Sequence, residues 1–356
     1  MARVDWIDKL KGFLIFLVVL GHVVGGGYHI ASEATQPILS FVFKLIYLFH
    51  MPAFFFVSGF TFVDSEGLQW YVKKIKRLLV PYFCFGIASG VLYLMMYKTA
   101  TVTFSETVTT TRYDDFINSS SSMWQLMVSL IHGGGWPNGT GFRCNSVLWF
   151  LPCMFSSIVL FKWLFRMGMN ALLIVSLLCV VSVIFDIVPK GLPWGLSKMP
   201  WFFPYMVLGW FAAKLDCMHC VKRNKSVIFS GFVLITGYFV ITYFIPDPDI
   251  LRKTVSGDLL LYLLGGMGCV LSVFIVQMLK GNFWIICGSA SLGIMLLHKF
   301  LVLGAELKIS AVRWMFSTSS LTAVSVSIGL SFAITVICIF MTLLIRRVSP
   351  WLLGER

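Results

Sequence analysis

The stretch 8–26, DKLKGFLIFLVVLGHVVGG, decides the fold class and raises the first functional question. It is an apolar run with Lys11 near its beginning and His22 inside it. Eleven residues of α-helix make about three turns, so the two side chains lie on nearly one face, roughly 16 Å apart along the axis. Ionisable groups at membrane depth are costly and therefore predict a functional site. The alternative is a His22 bonded to a neighbouring helix, with Lys11 and Asp8 merely flanking the span.

The composition is that of a polytopic membrane protein. The chain has 356 residues, of which 58% are hydrophobic and only 12% charged, and its mean hydropathy is +0.88. A soluble domain carries about 25% charged residues. The net charge of +13 comes from bases scattered between apolar runs, which favours a membrane rather than a nucleic-acid partner. Acidic residues at Asp5 and Asp8 and the lack of a small-x-small cleavage site predict a retained first span.

Apolar runs long enough to cross the bilayer predict an all-α bundle of about ten transmembrane helices. The predicted spans are 12–30, 41–62, 78–97, 147–165, 171–189, 201–213, 226–245, 258–279, 283–304 and 321–345. The positive-inside rule favours a cytoplasmic N-terminus and C-terminus. We therefore expect one transmembrane domain over 1–356, with an extracytoplasmic loop at about 98–146. That loop is either a binding element, with aromatic faces for a sugar or lipid headgroup, or an interfacial aromatic belt around a flexible segment. The aromatic residues that could supply such faces are Tyr113, Trp124, Trp136 and Phe142.

A second histidine interrupts the second span, in FHMPAFFFVSGF at 49–60. Here His50, Pro52 and Ser58 break an otherwise apolar run. A proline inside a helix leaves one backbone carbonyl without its hydrogen bond. In lipid, such irregular backbone is tolerated where it is buried in protein or lines a cavity. The segment therefore strengthens the prediction of a functional site in the first two spans.

A basic run, KKIKRLLVP at 73–81, follows the second span. Its cations are Lys73, Lys74, Lys76 and Arg77. Such a cluster at a membrane surface suits a phosphate-rich ligand or anionic lipid, and the alternative is ordinary positive-inside anchoring. Two later segments, GSASLGIMLLH at 288–298 and NSVLWFL at 145–151, are each typical of helix packing when taken alone. Cys217-Met-His-Cys220 has metal-like spacing but lacks a second ligand pair, so no metal site is expected.

Taken together and in order, these segments resemble acyltransferase family 3, the integral-membrane acyltransferases of bacterial carbohydrates and lipids. The spacing Lys11 to His22 resembles the basic residue, ten intervening residues and histidine of that family's first span, with Lys where Arg is more usual. Lys74-x-x-Arg77 resembles its paired basic motif, again with one Lys for Arg. LWFL at 148–151 and SLGIMLLH at 291–298 are similar to further landmarks.

The resemblance implies transfer of an acyl group, with acetyl expected, from cytoplasmic acyl-CoA to a hydroxyl of a cell-surface carbohydrate or lipid-linked glycan. His22 is then the expected general base, with Lys11 and His50 as further catalytic residues. Donor-binding residues are expected at Lys73, Lys74, Lys76, Arg77 and Ser58. Transfer is either direct or through an acyl-enzyme on Ser58 or a histidine. No metal and no nucleic acid is expected, and the expected location is the bacterial inner membrane, multi-pass.

A transporter or flippase for a glycan or lipid intermediate is the alternative function. About ten spans, broken helices and buried ionisable residues suit transport as well. Against it, the candidate motifs concentrate in the first three spans, and no inverted repeat of interrupted spans is visible. Acyl-CoA binding or hydrolysis distinguishes the two functions.

Overall fold

The protein is helical throughout the part that its structure describes. A computed structural model describes residues 5–28, 31–103, 123–133, 143–215, 225–246, 254–308, 316 and 318–355. In these ranges every regular element is a helix, which confirms the all-α prediction. The predicted metal-like segment Cys217–Cys220 lies outside them, as do Tyr113, Trp136, Phe142 and most of the predicted loop at 98–146.

The α-helices of the described ranges are α1 (Asp5–Tyr28), α2 (Gln36–Tyr47), α3 (His50–Phe60), α4 (Leu68–Lys74), α5 (Val80–Thr103), α6 (Met123–Ile131), α7 (Phe150–Met167), α8 (Met169–Ile184), α9 (Met199–Lys214), α10 (Lys225–Phe244), α11 (Val255–Met278), α12 (Phe283–Ser289), α13 (Ser291–Lys308) and α14 (Ser320–Val348). A π-helical segment, Ile75–Leu79, joins α4 to α5 without a break. Short 3-10 segments cover Arg143–Trp149, Pro193–Gly195 and Pro350–Leu353.

Six helical stretches of the described chain are long and apolar enough to cross a membrane, and a bent pair brings the number to as many as seven. They are Asp5–Tyr28, Gln36–Phe60, Leu68–Leu92, Asn145–Met167, Ser256–Met278 and Ser320–Val348, with α12 and α13 as the pair. α8 and part of α10 are apolar but shorter than a full crossing. The chain is thus a multi-pass membrane protein, whereas about ten spans and the cytoplasmic position of both termini stay predictions.

Large apolar side chains cover the outer surfaces of several helices. Leu177 on α8 is 64% exposed and Phe340 on α14 is 70% exposed. A water-soluble protein does not leave such continuous apolar surfaces open. In a bilayer these faces contact lipid chains, whose polarity matches that of the side chains.

The helices group into two compact units. Unit 1 is Met1–Asp64, Met167–Ile187 and Trp201–Leu344, and unit 2 is Ser65–Arg166, Val188–Pro200 and Ile345–Arg356. The first therefore carries α1–α3 and α8–α13 with most of α14, and the second carries α4–α7 with the C-terminal segment. The single domain expected over 1–356 stays a prediction.

Two helix crossings in unit 1 are built on reciprocal glycines. A Cβ atom at Gly12 of α1 would meet the backbone oxygen of Trp284, and one at Gly288 of α12 would meet that of Asp8. The same arrangement occurs where α3 crosses α9. A Cβ atom at Gly59 would meet the backbone oxygen of Met206, and one at Gly209 would meet that of Phe56. Since no side chain separates the two backbones, these helix pairs approach as closely as helices can in a membrane. Sequence analysis assigned helix packing to the segment that Gly288 opens, but it did not identify the contacts of these four glycines.

Replacing Gly288 by alanine should destabilise unit 1. The added methyl group faces a backbone oxygen, which cannot rotate away, and such overpacking costs about 1–3 kcal/mol. Gly329→Ala on α14 is the matched control, because a Cβ at Gly329 meets nothing within 4 Å. We expect Gly288→Ala to lower the apparent melting temperature in detergent, and Gly329→Ala to leave it unchanged or raise it slightly. Equal melting temperatures for the two variants would contradict the crossing.

Candidate active site

The candidate active site lies in unit 1, where α1 packs against α2, α12 and α13. It consists of His22, Tyr47, His50 and His298, which we call the histidine cluster. His22 lies on α1 six residues before the helix ends at Tyr28, and its side chain is half-buried. His50 is 4% exposed and His298 is fully buried.

The break between α2 and α3 brings Tyr47 and His50 together. α2 ends at Tyr47 and α3 begins at His50, with Phe49 at φ −134° between them. Pro52 has no N–H, so it cannot donate to the carbonyl four residues earlier, and the α-helical hydrogen bonding is interrupted between Tyr47 and His50. The rings of Tyr47 and His50 then meet edge to face, with centroids 4.8 Å apart.

His22 lies between Tyr47 and His298. Its Nδ1 is 3.3 Å from the Tyr47 hydroxyl, and its ring centroid is 5.3 Å from that of His298. His298 reaches this position because α12 and α13 meet at a bend of 87° around Ala290. The contacts therefore run from His298 through His22 and Tyr47 to His50, and they join three separate segments of the chain.

The hydrogen bonds of His50 and His298 fix their tautomers. Nδ1 of His50 lies 2.8 Å from the Ile46 carbonyl, and Nδ1 of His298 lies 2.8 Å from the Ile294 carbonyl. A carbonyl only accepts, so in each ring Nδ1 carries the hydrogen and donates it. In the neutral ring Nε2 is then the acceptor. The His298 Nε2 is buried and makes no hydrogen bond to any described residue.

The other predicted site residues lie outside this cluster. Lys11 is on α1 but eleven residues before His22, so the helix rise of about 1.5 Å per residue keeps it roughly 16 Å away. Ser58 is half-buried near the end of α3, and no hydrogen bond joins it to a described histidine. Lys73 and Lys74 end α4, and Lys76 and Arg77 lie in the π-helical segment, all in unit 2.

Sequence analysis included His22 and His50 but missed two members of the cluster. His298 was identified only as the end of a landmark segment, for which helix packing was the expected role. Tyr47 was not identified, because a tyrosine in an apolar span has no distinguishing signal. Among the described residues, no three His, Cys, Asp or Glu side chains converge as metal ligands.

Comparison with known proteins assigns the chain to a family. The family model described as "Acyltransferase domain" matches residues 4–344, nearly the whole chain. The chain belongs to acyltransferase family 3. The predicted family is thereby confirmed.

Two curated relatives illustrate the range of this family. The inner membrane protein YcfT of Escherichia coli K12 is 26% identical over 230 residues, which cover 61% of this chain and 58% of YcfT. The nodulation protein NolL of Sinorhizobium fredii is 25% identical over 223 residues, which cover 62% of this chain and 52% of NolL. The chain thus spans just over half the length of these relatives. No solved structure matches it.

His298 should contribute little to stability, although it is fully buried. A buried acceptor without a partner costs about 1–3 kcal/mol, and His298→Leu removes it. We expect this variant to melt at or above the wild-type temperature in detergent. The control is Leu296→Ala on the same helix, since Leu296 is also fully buried and loss of its side chain costs about 2–5 kcal/mol. A His298→Leu protein as unstable as the control would assign His298 a structural role.

Proposed function

We propose that the protein is a membrane O-acyltransferase. In this proposal it moves an acyl group, with acetyl expected, from cytoplasmic acyl-CoA to a hydroxyl of a cell-surface carbohydrate or a lipid-linked glycan. The location that fits is the bacterial inner membrane. Family membership supports acyl transfer, and the observation that carries the proposal is the contact between His22 and His298 inside the helices of unit 1.

His22 is the general base of the proposed reaction. In the tautomer that serves this step, Nδ1–H donates to the Tyr47 hydroxyl, and Nε2 takes the proton of the acceptor hydroxyl. The acceptor oxygen attacks the thioester carbonyl, the carbon–sulfur bond breaks, and the departing CoA thiolate takes up the proton. Transfer through an acyl-enzyme on Ser58 is the other route, which trapping in the absence of acceptor would reveal.

His50 and His298 hold the substrates in this proposal. Each has its Nδ1–H committed to a carbonyl of its own helix, so each offers Nε2 as an acceptor. A substrate hydroxyl that donates to such an acceptor is oriented before it reacts, and orientation accounts for a large part of enzymatic rate enhancement. The buried setting strengthens these hydrogen bonds, because water does not compete for them.

The donor is recognised in this proposal through its phosphate groups. Acyl-CoA is a polyanion, and Lys73, Lys74, Lys76 and Arg77 place four cations within five residues. Lys73, Lys76 and Arg77 are exposed and Lys74 is half-buried, so they are open to a ligand from solution. Lys11, near the beginning of α1, stays a proposed catalytic residue with an electrostatic role.

Transport of a glycan or lipid intermediate is the second candidate function. The 87° bend between α12 and α13 supports it, because transporters bind substrates at discontinuous helices. Purified protein in detergent distinguishes the two functions. The acyltransferase binds acetyl-CoA and slowly hydrolyses it without acceptor, whereas a transporter alone does neither.

His22 and His298 should act as one unit in acyl transfer. We expect His22→Asn to lower the turnover number by roughly a thousandfold, the scale of losing a general base in a preorganised site. If both histidines serve the same step, the double variant His22→Asn/His298→Asn is hardly slower than His22→Asn alone. The measurement is single-turnover transfer from radiolabelled acetyl-CoA in membranes with equal protein amounts. Wild-type turnover in His22→Asn would reject His22 as the base.

Removal of two cations from the basic run should weaken donor binding. For Lys74→Ala/Arg77→Ala we expect the dissociation constant of acetyl-CoA to rise about 10- to 100-fold, since charge-assisted hydrogen bonds to phosphate are lost. Lys190→Ala/Lys280→Ala removes the same charge from two exposed positions outside the run. Isothermal titration with both proteins is the measurement. Equal affinities of the two double variants would place the donor elsewhere.

A further inference from the structure

Lys162 is a fully buried cation that neither the proposed reaction nor the sequence motifs use. It lies on α7, inside the candidate span Asn145–Met167, and its exposed fraction is 0%. A lysine at such a position is costly to bury and is therefore a functional candidate by default. The contacts of its ammonium group indicate its function.

Three contacts of Lys162 lie on the segment that leads into the basic run. Its Nζ donates to the Ser65 carbonyl at 2.8 Å and lies 4.0 Å from the ring centroid of Trp70 and 4.6 Å from that of Tyr71. Ser65 precedes α4, and the two aromatic residues lie within it. Lys162 thus binds the end of α7 to the beginning of α4, and all of these residues belong to unit 2.

Trp70 connects Lys162 to a predicted donor-binding residue. The indole is 6% exposed, and Lys74 Nζ lies 5.3 Å from its ring centroid. Two ammonium groups therefore contact one ring, which is attracted to both and is held by the buried one. A lysine is otherwise a mobile point charge on a flexible stem. The Trp70 ring restricts where the charge of Lys74 can lie.

The C-terminal segment supports the same cations from a second direction. Gly354 has φ +66°, and a Cβ atom there would meet the Lys76 carbonyl oxygen and the Arg77 Cα. The segment is held by a bidentate pair, in which Arg346 Nη2 donates to Glu355 Oε1 at 2.7 Å and Nε donates to Oε2 at 3.0 Å. Lys76 and Arg77 lie in the π-helical segment, a backbone form that is frequent at functional sites. Their backbone is thus fixed by packing.

We propose that Lys162 is a positioning residue that, through Trp70, holds Lys74 and Arg77 where they bind the phosphate groups of the acyl donor. This inference rests on the proposed function, because it takes the basic run as the donor site. It assigns Lys162 no contact with the donor. The buried Lys162 fixes the Trp70 indole, and the indole confines the Lys74 side chain. Because α4 continues directly into the π-helical segment, the position of α4 also determines where Arg77 lies.

Lys162→Met tests this inference, because methionine keeps an unbranched apolar stem and loses the charge. We expect the KM for acetyl-CoA to rise about tenfold, the scale of losing a desolvated cation–π contact and its hydrogen bond, with the turnover number changed less than about twofold. Lys162→Arg should restore most of the affinity, since Arg also donates and stacks on aromatic faces. Arg166→Met, which removes a charge from an exposed position one turn further along α7, should leave the KM unchanged.

Comparison of two donors separates positioning from general damage to the fold. The full-length protein in nanodiscs is assayed with acetyl-CoA and with acetyl-dephospho-CoA, which lacks the 3′-phosphate. If Lys162 orders the phosphate-binding cations, the preference of the wild type for acetyl-CoA shrinks in Lys162→Met. If Lys162 is merely structural, turnover or protein amount falls and the preference stays, which overturns the inference.

The remaining outcomes are also decisive. If Lys162→Met does not accumulate in the membrane, Trp70→Phe takes its place, because phenylalanine keeps an apolar ring but attracts cations more weakly. A several-fold higher KM with a reduced preference supports the inference, and an unchanged KM overturns it. A wild-type protein that does not bind acetyl-CoA overturns the proposed donor and this inference together. Wild-type binding with an unchanged Lys162→Met overturns the inference alone.

Discussion

Backbone contact between α1 and α12, at Gly12 and Gly288, is the constraint on which the candidate site depends. A side chain at either position would meet the backbone oxygen of the other helix, so the two helices can touch only because both residues are glycine. In a membrane this contact cannot rely on expulsion of water, and close packing supplies the attraction instead. Since α12 continues into α13 through a bend of 87°, the crossing also determines where His298 lies relative to His22.

His50 and His298 show how a polar side chain inside a membrane protein meets its hydrogen-bonding requirement. A buried donor without a partner is costly, and His50 and His298 each satisfy one nitrogen with a carbonyl of their own helix four residues earlier. That local bond fixes the tautomer and leaves Nε2 as the acceptor. The same bond therefore makes the ring tolerable in the interior and keeps one nitrogen available for chemistry. A proline-induced break, rather than side-chain packing alone, presents His50 to Tyr47.

The cations of unit 2 occur in two settings, exposed in the basic run and buried on α7. Lys73, Lys76 and Arg77 are exposed, so they can meet an anion at little cost. Lys162 is fully buried and stabilised by a carbonyl and two aromatic rings, so its charge is committed to the protein. An ordered set of cations binds a phosphate group more tightly than a mobile set, because less side-chain entropy is lost on binding. A buried lysine next to an exposed basic run is consistent with such preorganisation.

The sequence by itself determined the helical class, the membrane setting and the family, and it supplied the predictions of a site at His22 and His50 and of donor binding at the basic run 73–77. Each of these depends on residue type and local spacing, which hydropathy and ionisable groups in apolar runs reveal directly. Only the tertiary structure decided that His298 meets His22, that Tyr47 lies between two histidines, and that Lys162 contacts Trp70. These contacts join segments far apart in the chain, and packing between distant helices leaves no period in the sequence. The partners of the four crossing glycines were missed for the same reason: a glycine in an apolar run shows its function only when the backbone it faces is known.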